Sequence, residues 1–147
     1  MSNPVTQPTP TRVRVGRVVR PIARIVLGIA LTFAGVSHLT TARAEFQAQV
    51  PTWLPLDADF VVIASGVVEI LLGLWLISGF RAPLAGLVTG LFFIAVFPGN
   101  ISQWMTGTDA FGLTSDTARL IRLFFQPVLV VWAVWSTGAW SWMRHRA

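Results

Sequence analysis

The stretch SGVVEILLGLWLISGF, residues 65–80, decides the fold, because a single ionisable residue, Glu69, stands among side chains that prefer hydrocarbon to water. A run of roughly 18 or more residues with few charges is typical of a helix that spans a bilayer. Three further runs in the chain have the same character. We predict four spanning helices, at about residues 22–40, 59–80, 83–104 and 118–140.

The composition supports a membrane protein. Of the 147 residues, 54% are hydrophobic and 12% are charged, and the mean hydropathy is +0.66. A soluble domain carries roughly 25% charged residues, and a chain this short keeps much of its surface exposed. Only α-helices and closed β-barrels can span a lipid bilayer. We therefore predict an all-α transmembrane four-helix bundle over residues 21–143, in which short connections make neighbouring helices antiparallel.

The charges indicate how the bundle is oriented. All 11 basic residues are arginines, and the formal net charge is +5. They cluster outside the apolar runs, in a disordered basic tail predicted for residues 1–20 and a short basic tail at residues 144–147. This pattern favours a membrane topology signal over a nucleic-acid surface. With both termini in the cytoplasm, the inner side holds Arg12, Arg14, Arg17, Arg20, Arg24, Arg81, Arg144 and Arg146. A rival interpretation takes the first apolar run as a signal peptide cleaved near Ala42-Arg43-Ala44.

The absence of cysteine excludes several kinds of chemistry. Thiol nucleophiles, disulfide relays, iron–sulfur clusters and zinc held by cysteine all need that residue. Of the two histidines, His145 lies in the C-terminal tail, so a haem held by two histidines within the membrane is not expected. We predict no metal site.

The depth of each residue in the bilayer follows from the helix rise of 1.5 Å per residue, and this places the polar residues of the spans near one another in depth. Glu69 lies about 15 Å from the outer end of the second helix, near the bilayer midplane. A charge at that depth is costly in lipid, so Glu69 is expected to face the bundle interior, towards Arg122. The candidate intramembrane cluster comprises His38, Glu69, Asn100, Arg119, Arg122 and Gln126.

Prolines and glycines are expected to shape the space around this cluster. Pro98 removes a helix hydrogen bond, so that with Gly99 it is predicted to kink the third helix, and Pro127 is a further kink position. The loop that contains Pro51, Trp53 and Pro55 cannot be regular helix, and tryptophan favours the membrane–water interface, so we place this loop against the headgroups.

Five motifs resemble the DoxX family of small bacterial membrane proteins: AGVSHL (34–39), VPTWLP (50–55), SGVVEILLGLWLI (65–77), FPGNI (97–101) and RLFFQPVLVVWAVW (122–135). The resemblance spans about residues 22–137. It implies a multi-pass protein of the bacterial cytoplasmic membrane. Some members of that family are linked to quinone-dependent oxidoreductases, and many have no known activity.

Two main functions stay open on the sequence alone, and the catalytic residues stay unknown. The first is the membrane subunit of a quinone-linked oxidoreductase, in which Arg122, His38, Asn100 and Gln126 donate to a quinone and Glu69 carries a proton. No covalent cofactor is expected, so redox partner proteins would supply the electrons. The second is a non-catalytic anchor or assembly module with a structural Glu69–Arg122 clamp. A carrier of small solutes or lipids is a weaker third option. We expect the bilayer, and no nucleic acid, as a partner.

Overall fold

The computed structural model describes residues 11–110, 112 and 114–147. Helix makes up 79% of this part of the chain, and strand is absent from it. Its six helices are α1 (Thr11–Leu39), α2 (Arg43–Gln47), α3 (Ala58–Ser78), α4 (Ala82–Thr106), α5 (Asp116–Ser136) and α6 (Ala139–Arg144).

Four of these helices are long and apolar enough to cross a membrane, within Val15–Leu39, Ala58–Ser78, Ala82–Thr106 and Asp116–Ser136. Their outward faces carry large apolar side chains, such as Phe33 and Phe124, which are 74% and 69% exposed. Soluble proteins rarely leave apolar patches of this extent in contact with water. The chain is therefore a multi-pass membrane protein.

Local signals account for most helix ends. Asp57 accepts a hydrogen bond from the amide of Phe60 at 3.0 Å and caps the start of α3. Ser115 caps α5 in the same way through the amide of Ala118. Gly79 ends α3 in the left-handed region at φ 72°, a conformation that costs glycine least.

Three elements differ from the sequence prediction. Helix α1 begins at Thr11, so residues 11–20, predicted as a disordered tail, continue the first span as helix. Residues 1–10 of that predicted tail lie outside the described residues. The short helices α2 and α6 were not predicted, because five or six residues give too short a periodicity to detect.

The four long helices form a ring in which each packs against two others: α1 against α3 and α5, and α4 against α3 and α5. The side chains that fill its centre come from all four helices. They are Leu27, Leu31, Leu72, Leu76, Ala85, Phe93 and Ala133.

Glycines permit the closest helix contact, between α1 and α3. A Cβ added to Gly28 would lie 2.7 Å from the carbonyl oxygen of Gly73, and one added to Gly35 would lie 2.6 Å from that of Gly66. Real Cβ atoms do not approach backbone oxygen so closely. Within each helix the two glycines are seven residues apart, as Gly28 and Gly35 are in α1, and this spacing keeps them on one helix face. Small residues of this kind let membrane helices approach each other.

We expect Gly73→Ala to destabilise the bundle. The added methyl would meet the Gly28 carbonyl at 2.6 Å, and overpacking of this kind costs about 1–3 kcal/mol. Thermal unfolding in mild detergent, followed by circular dichroism, measures the change. Gly90→Ala is the matched control, because its Cβ would meet only the side chains of Val134 at 3.4 Å and Val130 at 3.8 Å, which are ordinary contacts. Equal melting temperatures for the two variants would show that the glycine contact is not required.

Candidate functional site

A cavity of about 520 Å³ lies between the four long helices and the loop that follows α2. Along α1 it runs from His38 to Leu27, with Ala34 and Leu31 between them. Eleven residues of helix correspond to about 16 Å, so the cavity is elongated. Its side towards Leu27 is apolar, and its side towards His38 gathers polar groups.

His38, Ser65 and Glu69 form one polar group in this cavity. His38 Nδ1 lies 3.3 Å from Glu69 Oε2 and 3.2 Å from the hydroxyl of Ser65. His38 and Glu69 are both largely buried, at 7% and 9% exposure. The contact between His38 and Glu69 does not have the geometry of a hydrogen bond, and Glu69 Oε2 has no hydrogen-bond partner among the described residues. The described residues thus leave the hydrogen-bonding capacity of one Glu69 carboxyl oxygen unused.

These three residue types also occur in hydrolases, but their geometry here differs from a catalytic triad. In a triad the acid and the nucleophile hydrogen-bond to opposite nitrogens of the imidazole. Here Ser65 and Glu69 both approach Nδ1 of His38, and Ser65 donates to the carbonyl of Val62 at 3.0 Å. The arrangement does not relay a proton from Ser65 to Glu69.

Asn100 and Gln126 form a second polar group, which joins α4 to α5. Asn100 Nδ2 donates to Gln126 Oε1 at 3.0 Å, and Gln126 Nε2 donates to the carbonyl of Phe93 at 2.8 Å. Both polar ends of Gln126 are thus engaged, so Gln126 chiefly holds Asn100 in position. Sequence reasoning had counted Gln126 as a donor to a ligand.

Arg122 lines the same cavity from α5. In the amide orientation that satisfies both ends of Gln49, the Gln49 oxygen accepts from Arg122 at 2.8 Å. Gly99 makes this contact feasible, because a Cβ there would lie 2.9 Å from the Gln49 carbonyl oxygen. The direct contact of Glu69 is with His38, so the predicted Glu69–Arg122 clamp stays a prediction.

The loop after α2 covers the polar side of the cavity. Pro51 and Trp53 line it, as does Phe46, whose ring meets His38 edge to face. Pro55, predicted to lie in the same interfacial loop, is not among the lining residues. Arg43 in α2 forms an ion pair with Asp59 at the start of α3. The hydrogen bonds that Arg43 donates to this carboxylate raise the pKa of Arg43, so the pair that ties α2 to α3 stays charged.

The two prolines lie beside cavities without interrupting their helices. Helix α4 continues through Pro98, which lines the main cavity with Gly99. Pro127 lies within α5 and lines a smaller apolar groove of about 320 Å³ between α4 and α5. Phe93 and Gln126 line both spaces, so they separate the groove from the cavity.

Arg119 lies apart from the other residues of the predicted cluster. Its guanidinium pairs with Asp109 and, at 2.7 Å, with Asp116, and it also reaches the carbonyl of Thr114. It does not line the cavity. The three-residue spacing predicts that Arg119 and Arg122 share one helix face, but the guanidinium of Arg119 pairs with Asp109 and Asp116 instead of lining the cavity.

Sequence reasoning missed two polar residues of the site. Ser65 stands one helical turn before Glu69, a spacing that could have placed it on the same face. Gln49 carries no such signal, since its position depends on how the loop folds back over α4. Among the described residues, no group of three or more His, Cys, Asp or Glu could hold a metal ion.

We expect Arg119→Met to lower the free energy of unfolding by about 1–3 kcal/mol, because it removes the hydrogen bonds of a buried guanidinium. Chemical unfolding in detergent measures the change. Arg144→Met is the control, since Arg144 is exposed in α6 and surface substitutions usually stay within about 0.5 kcal/mol. A stability of Arg119→Met equal to that of Arg144→Met would contradict a structural role.

Comparison with protein-family models matches residues 27–137 to a family described as "Domain of unknown function (DUF8561)". The matched range includes every residue that lines the main cavity. Comparison with curated proteins and with solved structures finds no match.

Proposed function

Because the chain belongs to the DUF8561 family, whose description assigns no activity, we propose its function from the cavity itself: the protein binds a small amphipathic molecule of the quinone class within the membrane. In this proposal it is the membrane subunit of a quinone-linked oxidoreductase complex. The observation that carries the proposal is the elongated cavity, apolar along Leu27 and Leu31 and polar around His38, Glu69 and Arg122.

The volume and lining suit such a ligand. Small-molecule sites usually measure about 300–1,000 Å³ and combine apolar walls with a few polar groups that fix orientation. A quinone has an apolar ring edge and two carbonyl oxygens that accept hydrogen bonds. Arg122 is an always-charged donor, and Asn100 and His38 offer further polar atoms. The bound ring would lie below the loop that contains Trp53.

Proton transfer would use Glu69 and His38. Reduction of a quinone to a quinol takes two electrons and two protons. The side chains contain no thiol that could carry electrons, so a redox partner protein would supply both electrons. Glu69 would deliver a proton to the quinone oxygen and recover it through the adjacent His38, a role that carboxylic acids and imidazoles share in general acid catalysis.

The proposal also includes an orientation. Contacts pair Gly28 with Gly73 and Gly35 with Gly66, as expected if α1 and α3 run antiparallel. The arginines concentrate near the N-terminus, the α3–α4 turn and the C-terminus. By the positive-inside rule these parts face the cytoplasm. The polar end of the cavity then faces the outer side of a bacterial cytoplasmic membrane, and the resemblance to the DoxX family supports that location.

We expect Arg122→Met to weaken binding of a short-chain benzoquinone about tenfold or more, because a hydrogen bond to a charged donor contributes about 1.5–3 kcal/mol. Titration calorimetry on the purified full chain in detergent, with decylubiquinone as the probe, measures the affinity. Arg146→Met, outside the cavity, should bind as the wild type does. Unchanged affinity in Arg122→Met would exclude this binding geometry.

We expect Glu69→Gln to fold and to bind the same quinone, yet to lose quinone reduction in the assembled complex, because the amide cannot release a proton. Glu45→Gln is the matched control, since it changes the other glutamate of the chain, in exposed α2. Full reduction by Glu69→Gln would exclude the proton role.

The variants Glu69→Gln and Arg122→Met also distinguish quinone binding from the alternative of a non-catalytic anchor. A Glu69–Arg122 clamp predicts that Glu69→Gln or Arg122→Met alone lowers the melting temperature, because each strands a buried partner. Replacing both residues with apolar side chains should then restore stability.

A further inference from the structure

We propose that the bundle binds the phosphate of an anionic phospholipid through Arg24 and Arg81, where α3 ends and α4 begins. This site lies at the opposite end of the bundle from the polar part of the cavity. It is independent of the proposed quinone site.

The acidic side chains of the chain are confined to one end of the bundle and to the cavity. The chain has six acidic residues: Glu45, Asp57, Asp59, Glu69, Asp109 and Asp116. Five of them lie in or beside the connections on the cavity's polar side, and Glu69 lies inside the cavity. The end that carries Arg24 and Arg81 therefore contains no acidic side chain, and a negative group from outside the protein can balance its positive charge.

Arg24 is held in place, but one nitrogen of its guanidinium lacks an acceptor among the described residues. Its guanidinium packs against Gly79, where NH1 lies 2.7 Å from the position that a Cβ would take. Its Nε is buried, and among the described residues this atom has no hydrogen-bond partner. A polar group that is buried without a partner is costly, so an acceptor supplied by a ligand would remove that cost.

Arg81 adds a second guanidinium at the turn between α3 and α4, the corner of the bundle against which Arg24 packs. It lies two residues after Gly79 and has a φ of 45°, in the left-handed region. Its side chain is exposed and lies 5.5 Å from the ring centroid of Phe80. Arg20, one turn before Arg24, extends over the ring of Trp135 near the end of α5, which adds positive charge at this end of the bundle.

The chemistry of the corner fits a phospholipid headgroup. Guanidinium groups form paired, charge-assisted hydrogen bonds with phosphate oxygens, and a phosphodiester presents two such oxygens. Exposed apolar side chains flank the corner, since Phe80 is 67% exposed and Ile22 is 56% exposed. Acyl chains can cover these side chains, whereas a free phosphate ion cannot. An anionic headgroup such as phosphatidylglycerol, which carries an unbalanced negative charge, matches the excess of arginine better than a zwitterionic one.

Native mass spectrometry of the full chain tests the site. The protein is exchanged in mild detergent with equimolar dioleoylphosphatidylglycerol and dioleoylphosphatidylcholine. The wild type should retain phosphatidylglycerol about fivefold more than phosphatidylcholine, and the variant with both Arg24→Gln and Arg81→Asn should lose this preference. Arg146→Gln, which removes one charge of the same sign in the C-terminal tail, should keep it. Equal retention of both lipids by the wild type, or an undiminished preference in the double variant, would overturn the proposal.

A second measurement keeps the test valid if the double variant folds poorly. Arg81→Asn alone removes an exposed charge and places a residue that tolerates a left-handed φ. Phosphatidylglycerol should raise the melting temperature of the wild type, as any ligand of the native state does, and should raise that of Arg81→Asn much less. Inorganic phosphate should not reproduce the shift. An equal shift with inorganic phosphate, or an equal shift in Arg81→Asn, would refute a phospholipid site at this corner.

Discussion

The close packing of α1 on α3 is the contact on which the site depends. Gly35 and Gly66 allow the two backbones to touch, and a Cβ on Gly66 would lie only 2.7 Å from the Cβ of His38. This contact puts the imidazole beside Ser65 and Glu69. A wider helix separation would leave the Glu69 carboxylate in an apolar environment without a polar neighbour, which membranes tolerate only at high cost.

Hydrocarbon surroundings explain how the other polar groups are arranged. Several polar side chains of the bundle are held by a specific acceptor or donor from another element: Asn100 by Gln126, Gln126 by the Phe93 carbonyl, and Arg119 by the carboxylate of Asp109. Glu69 Oε2 lacks a hydrogen-bond partner among the described residues, as do single atoms of Arg24, Thr89, Arg119 and Ser136, but of these residues Glu69 alone lines the main cavity. Among the incompletely bonded polar groups, Glu69 is thus the one that lies beside the cavity.

Polar contacts attach the loop after α2 to the helices that it covers. The ion pair between Arg43 in α2 and Asp59 in α3, on either side of this loop, is about 40% exposed at each residue, and exposed pairs of this kind contribute little to stability. Gln49 and Gly99 add a backbone contact above Arg122.

The sequence by itself determined the four spans, their membrane character and the residues that could not face lipid, because hydropathy and the cost of intramembrane charge act locally along the chain. The DoxX-like motifs and the charge pattern led to functional hypotheses that the fold leaves to experiment. Only the tertiary structure decided which polar residues meet. Helix spacing placed Arg119 and Arg122 together, yet Arg119 pairs with Asp109 and Asp116 while Arg122 meets Gln49. Depth counting gives a residue's height but not its rotation about the helix axis, and that rotation is set by glycine contacts between helices distant in sequence.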